Sequence, residues 1–212
     1  MAVLDACFAD KGYTIDYQEF AGECTRVKIE NWAQHCRDIG ITAVVGIGGG
    51  KVLDTAKGIA YHTGLPMAII PTVCATDAPC SSLSVMYTDD GVFDAYLFLD
   101  ACPDVVIVDT EVIAKAPAKM LVAGMGDAMA TWFEARACRA SGSNNQVHAK
   151  PTCSATGLAK MCWEVLKADD LNAKRAVEVG AVTTALENVV EINTYLFGVG
   201  FESGGLAAAH GI

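Results

Sequence analysis

Apolar positions recur along this chain with two rhythms, and the change from one to the other divides it. In the first half, short apolar runs of strand length alternate with helical patterns. Residues 13–20 predict a short strand and residues 26–38 an amphipathic helix. Residues 43–46 predict a buried strand, followed at once by a glycine cluster and a helix over 51–61. A further apolar strand covers 67–70 and is closed by Pro71. This strand–helix–strand alternation implies a parallel sheet with helices on its faces. Residues 83–88 and 93–99 are β-rich and flank Asp89-Asp90-Gly91, a hairpin signal because Asp-Gly suits a tight turn between strands. One more buried strand is expected over 105–108.

After Pro117 the rhythm becomes helical. Proline suits a first helical turn, and the pattern runs to about residue 139, with a loop at 141–145. Leu158, Met161, Cys162, Val165 and Leu166 then recur at helical spacing and predict one buried face. Helical signal continues from 174 to about 195, and from Ser203 to the end. The chain is therefore expected to be α/β over residues 1–116 and all-helical over 117–212. Both ends look cut, since the start resembles mid-helix and the last apolar helix has no closing cap.

Composition narrows the function. Half of the 212 residues are hydrophobic (52%), enough for one large core or two smaller ones. The net charge is -10 and the basic residues are scattered, which argues against a nucleic-acid ligand. A small ligand or a protein partner is the better expectation. Nine cysteines, an odd number without a CxxC pair, predict reduced and mostly buried thiols. No signal peptide and no apolar run of membrane-spanning length is present, so the chain is expected to be cytoplasmic.

A few segments carry candidate chemistry. Gly46-Ile-Gly-Gly-Gly-Lys51 lies between a strand and a helix, where a pyrophosphate would find free N–H groups, although a plain tight turn explains it equally well. The loop from Pro71 to Ser81 follows a strand's carboxyl end, the edge where open α/β sheets bind ligands. A turn built by its Thr, Asp and Pro residues is the simpler account. Asp127 sits among apolar neighbours in a helix and needs a metal, an Arg or solvent as partner. Glu134 and Arg136 look like surface positions, and His62, His148 and His210 like ordinary histidines.

Taken together, several long stretches resemble the glycerol dehydrogenases of the iron- or zinc-dependent alcohol dehydrogenase superfamily. They are Gly46-Ile-Gly-Gly-Gly-Lys-Val-Leu-Asp-Thr-Ala-Lys57, Ala75 to Cys80, and Val106-Ile-Val-Asp-Thr110. Gly126-Asp-Ala-Met-Ala-Thr-Trp-Phe-Glu-Ala-Arg-Ala137 and the run from Asn193-Thr-Tyr to Ala209-His210 extend the match over nearly the whole chain, in order. The resemblance implies a dehydroquinate-synthase-like fold, with an α/β NAD-binding domain over 1–116 and an incomplete helical metal-binding domain over 117–212. NAD and metal would lie in the cleft between them.

Carried over position by position, Gly50, Lys51 and Asp54 would serve the cofactor's phosphates and nearby groups. Thr72, Ser81, Leu83 and Tyr87 would line the rest of the dinucleotide site. Asp77 would hydrogen-bond the substrate's hydroxyls, and Asp127 and His210 would be two of the metal ligands. The implied reaction oxidises glycerol to dihydroxyacetone with NAD and Zn2+; Asp and His ligation also fits Fe2+. The family forms homo-oligomers.

Two departures from the family pattern stand out. The family's third metal ligand is a His downstream of His210, and its first strand carries an acidic residue for the adenosine ribose; neither is in this chain. Little dehydrogenase activity is therefore expected from these 212 residues alone. A non-catalytic remnant with a binding or assembly role, and a dehydrogenase for another polyol or a hydroxycarboxylate, are the alternatives.

Overall fold

A computed structural model describes residues 2–8 and 11–210. Its centre is a three-stranded parallel sheet of β1 (Val44–Gly48), β2 (Met67–Pro71) and β5 (Val105–Val106), in the order β1-β2-β5. The register sets Gly46 opposite Ile69, and Ile69 opposite Val106, so these three share one face. Helix α3 (Gly50–Thr63) covers that face with Leu53 and Ala56. Its approach is close enough that a Cβ on Gly46 would lie 2.7 Å from the Ala56 Cβ, which is why a glycine stands there. On the opposite face Val45, Ile47, Val105 and Ile107 remain exposed. Parallel sheets are normally covered on both sides; among the described residues this side is bare.

Before the sheet come α1 (Ala2–Phe8) and α2 (Arg26–Ile39). The Thr25 hydroxyl accepts from the Lys28 amide at the start of α2, and Gly40 (φ 71°) closes its end in the left-handed conformation. A Cβ on Gly58 would sit 2.6 Å from Ile29 Cδ1, so α2 and α3 also meet through a glycine. The hairpin of β3 (Leu83–Tyr87) and β4 (Phe93–Phe98) follows β2 and is antiparallel, with a bulge at Met86/Tyr87. Asp89-Asp90-Gly91 makes its turn, Gly91 at φ 77°.

Everything after residue 107 is helical or loop. A short helix, α4 (Thr110–Ala114), is capped by the Asp109 carboxylate. It is followed by α5 (Ala118–Ser141), α6 (Cys153–Glu178), α7 (Thr184–Glu191) and α8 (Phe197–Gly204). A single turn of π-helix, Ile192–Leu196, joins α7 to α8. The largest core lies here, with Leu121, Cys162, Leu186, Val189, Ile192 and Phe197 buried and Cys74 reaching in from the loop after β2. Each fully buried large aliphatic or aromatic side chain contributes about 1.5–3 kcal/mol.

The parallel sheet followed by a helical region agrees with the expected fold class. Several local expectations need correction. Residues 13–20 form no strand: Tyr13 and Ile15 are exposed, and polar residues hold the segment, Asp16 to His35 at 2.9 Å and Tyr17 to Asp5 at 2.8 Å. An extended alternating stretch without a neighbouring strand has nothing to pair with. The helix expected from 174 is the end of α6, and Gly180 (φ 66°) breaks the chain before α7. Cys162 and Leu166 of the expected α6 face are buried and Leu158 and Val165 pack against the same core, but Met161 is 47% exposed, and Ala155, Ala159 and Ala173 complete the buried side. Among the described residues the helix expected from Ser203 to the end stops at once: α8 ends at Gly204, Gly205 takes φ 90°, and a 3-10 turn follows at Ala208–His210, while residues 211–212 lie outside the described residues. Four of the nine cysteines are buried and three exposed, all nine as free thiols, so the thiols are less buried than expected. Among the described residues no helix is long and apolar enough to cross a membrane.

Candidate active site

A cleft of about 850 Å³ opens between the start of α3, the loop after β2, the hairpin and the helical part. Nine of the ten residues singled out from the sequence line it: Gly50, Lys51, Asp54, Asp77, Ser81, Leu83, Tyr87, Asp127 and His210. Thr72 is not among its lining residues, and its amide donates to the Gly48 carbonyl at 2.9 Å, extending the strand pairing.

One wall is the start of α3. Gly48 takes φ 156°, where a Cβ would meet Val52 Cγ2 at 2.8 Å, and Gly49 caps the helix without a side chain. The amides of Gly50 and Lys51 are therefore open to a ligand, with the positive end of the helix dipole behind them, while that of Val52 donates to the Gly49 carbonyl at 3.0 Å. The Lys51 ammonium lies 2.5 Å from Glu23 Oε1 and is half exposed.

Six residues along the same helix, Lys57 has the opposite fate. It is fully buried, and its ammonium lies 3.0 Å from Asp54 Oδ1 and 3.1 Å from Ser81 Oγ, and also reaches the Leu83 carbonyl. Asp54 accepts from the Val85 amide at 3.1 Å as well. Burying an ammonium is tolerable only with such partners. Lys57 thus ties α3 to the loop and hairpin that form the next wall. Asp54 and Ser81 line the cleft, but their polar atoms are engaged in this tie. Sequence reading missed Lys57, although a lysine three residues after an aspartate in an otherwise apolar helix was the available signal.

Asp77 lies in the loop after β2. Its carboxyl is pushed up to about 7 by burial, with Asp127 and Asp54 adding repulsion and Lys57 opposing. The loop is braced from the helical side by Asn193, in the π-turn, whose amide donates to the carbonyls of Leu121 (3.3 Å) and Cys74 (3.5 Å). Gly124 permits this contact, since a Cβ there would lie 2.5 Å from the Cys74 carbonyl oxygen. Glu202 adds a second brace, accepting from the Ser82 amide at 3.0 Å. Neither Asn193 nor Glu202 had a sequence signal pointing to this role.

The third wall carries the metal candidates. His210 Nε2 lies 3.1 Å from Asp127 Oδ1, and Nδ1 lies 2.5 Å from Glu134 Oε2. Carboxylate oxygens can only accept here, so both ring nitrogens act as donors, and the imidazole's pKa rises to about 9. The hydrogen bond to Asp127 is the largest cause and Glu134 adds to it, against the opposing effect of burial. Glu134 is only 3% exposed, which corrects the expectation that it is a surface residue. Seven residues separate Asp127 from Glu134, nearly two helical turns, so α5 presents both on one side. That spacing was readable and was overlooked.

This donor set has the chemistry of a metal site, because a ligating imidazole usually passes its second N–H to a carboxylate. Asp127 and His210 are the two side chains of it that could ligate. Among the described residues no group of three or more His, Cys, Asp or Glu is arranged to hold a metal ion.

Comparison with known proteins shows the family. Residues 2–110 match the family model described as iron-containing alcohol dehydrogenase. A glycerol dehydrogenase of Escherichia coli is 50% identical over 211 residues, covering all of this chain and 58% of its own length. One from Thermotoga maritima is 54% identical over 198 residues, 93% of this chain and 54% of the relative. The crystal structure of glycerol dehydrogenase from Schizosaccharomyces pombe superposes with a TM-score of 0.90 at 38% identity, over 99% of this chain and 55% of that one. The chain thus spans little more than half the length of these relatives. It belongs to the iron-containing alcohol dehydrogenase family, an oxidoreductase family, and within it resembles the glycerol dehydrogenases.

Proposed function

We propose that this chain carries the cofactor-binding part and two metal ligands of an NAD-dependent glycerol dehydrogenase that uses zinc or iron. Residues 1–116 act as the nucleotide-binding domain and 117–212 as the metal-binding one. The observation that carries the reading is a single cleft lined by an open helix start, by Asp77, and by the Asp127–His210 pair.

The first-turn amides of α3, at Gly50 and Lys51, bind the pyrophosphate, and Lys51 neutralises its charge after leaving Glu23. Leu83 and Tyr87, on the hairpin, shield the dinucleotide from water, while Asp54 and Ser81 keep that wall in place through Lys57. Asp77 holds a substrate hydroxyl; with its carboxyl near neutrality it accepts one hydrogen bond when ionised and donates when protonated. Asp127 Oδ1 and His210 Nε2 would hold the metal, which supplies a Lewis acid that makes a bound hydroxyl easier to deprotonate. NAD would supply the acceptor for the hydride of the secondary carbon, and with the hydroxyl proton passing to solvent glycerol would become dihydroxyacetone.

Calorimetric titration of the purified chain with NAD and, separately, with zinc tests the reading, beside Asp127→Ala. Wild type is expected to bind both, and the variant to keep NAD and lose zinc. Zinc binding that survives Asp127→Ala, or a folded chain that takes up neither ligand, would sink the proposal.

A further inference from the structure

Glu134 is the one buried carboxylate in the metal wall that no ligand role uses. Its two oxygens divide their work. Oε1 accepts from the amides of Ala207 (2.9 Å) and His210 (3.1 Å), and Oε2 receives the imidazole Nδ1–H at 2.5 Å. The segment it holds is irregular: Gly205 (φ 90°) ends α8, and only a 3-10 turn at Ala208–His210 follows. No regular helix or strand fixes the orientation of His210; Glu134 holds its backbone and Nδ1, and Asp127 meets Nε2 on the cleft side.

We propose that Glu134 is the positioning residue of the metal site. It anchors the segment after α8 and keeps a proton on His210 Nδ1, so that Nε2, whose own proton points at Asp127, is the nitrogen that a metal would deprotonate and take. The inference rests on the metal reading above, and goes further by assigning the group that prepares the ligand. A carboxylate is required because the site asks for acceptors only: two backbone N–H groups and one ring N–H converge on it. Glutamine at this position has one acceptor oxygen. Held by the two backbone donors, that oxygen leaves the NH2 group facing Nδ1. The ring then accepts at Nδ1 and carries its proton on Nε2, the wrong nitrogen for ligation.

The test compares wild type with Glu134→Gln in the full 212-residue chain, by two readouts. Nitrogen-15 spectra of the metal-free chain report the ring: Nδ1 is expected to be protonated in wild type and unprotonated in the variant. Zinc affinity, measured by competition with a chromophoric chelator, is expected to fall about 10–100-fold with the far-UV spectrum unchanged. Glu134→Asp, which keeps the acceptors on a shorter arm, should retain the Nδ1–H signature. A variant ring still protonated at Nδ1 would overturn the proposal, as would wild-type zinc affinity in Glu134→Gln. If wild type itself takes up no zinc, the metal reading fails, and the nitrogen-15 comparison alone still decides whether Glu134 sets the ring. If Glu134→Gln unfolds, Glu134→Asp carries the test: loss of its Nδ1–H signature while folded would equally refute the assignment.

Discussion

Two clusters of buried charge face this cleft, and they are built on opposite plans. In the α/β part, Lys57 reaches Asp54, Ser81 and the Leu83 carbonyl, and every one of these partners belongs to the wall itself. In the helical part, Glu134 is equally buried, but the chain of contacts it starts runs outward through His210 to Asp127, at the cleft surface. The first arrangement closes on itself and holds the fold. The second ends on atoms that a ligand can take over. Buried charge alone therefore does not mark a functional group; what matters is whether its hydrogen bonds terminate inside the protein or in a cavity.

The sharpest way to break the comparison is to remove the cation of the closed cluster. Lys57→Met leaves Asp54 buried without a counter-charge and is expected to cost about 3–5 kcal/mol in denaturant unfolding. Adding Asp54→Leu should recover much of that loss. If Lys57→Met were as stable as wild type, the tie would not be holding the wall.

Asp77 offers a second test, through pH. Its folded pKa of about 7 lies above the ordinary carboxylate value of 3.8, so the folded chain holds the proton more tightly than the unfolded one. This group's contribution to stability is present at low pH, is lost as pH rises between those two values, and stays lost above them. Asp77→Asn has no such slope. Its melting temperature relative to wild type should climb from pH 4 to pH 7 and then level off; a constant difference would show that burial does not shift this carboxyl.

The smallest stability effect belongs to Lys51, on the same helix as Lys57. Its ion pair with Glu23 is half exposed, so Lys51→Met should change unfolding by about 1 kcal/mol or less. Under the proposed function it should nevertheless weaken NAD binding measurably by calorimetry. Two lysines six residues apart would then separate cleanly, one needed for stability and the other for the ligand. A large stability loss at Lys51 would erase that distinction.

Much of this was legible in the chain. Alternating strand and helix patterns, Gly46-Ile-Gly-Gly-Gly, and Asp-Gly between apolar runs are local signals, and β1, α3 and the hairpin follow from them. Residues 13–20 misled because strand pairing is not local: the same alternation describes a segment tied down by Asp16 and Tyr17. The site was half legible for a similar reason. Residues of a loop or a helix start declare their chemistry, whereas Glu134 and Lys57 are marked only by their helical spacing from Asp127 and Asp54, and the fold is needed to show which side is buried. His210 was plain as a residue, but the 3-10 turn that carries it was hidden by the apolar run around it.

The single π-turn at Ile192–Leu196 has a consequence for phase. One extra residue in a helix turns everything beyond it by about 100°. Before the turn the buried side is Leu186, Val189 and Val190; after it, Phe197, Gly198, Gly200, Phe201 and Gly204. The rod from α7 to α8 thus works as a phase shifter, re-aiming its inner side midway. In this phase Gly200 and Gly204 face Thr131 and Ala135 of α5, the helix that also carries Asp127, and the chain leaves α8 through Gly205 toward the 3-10 turn of His210.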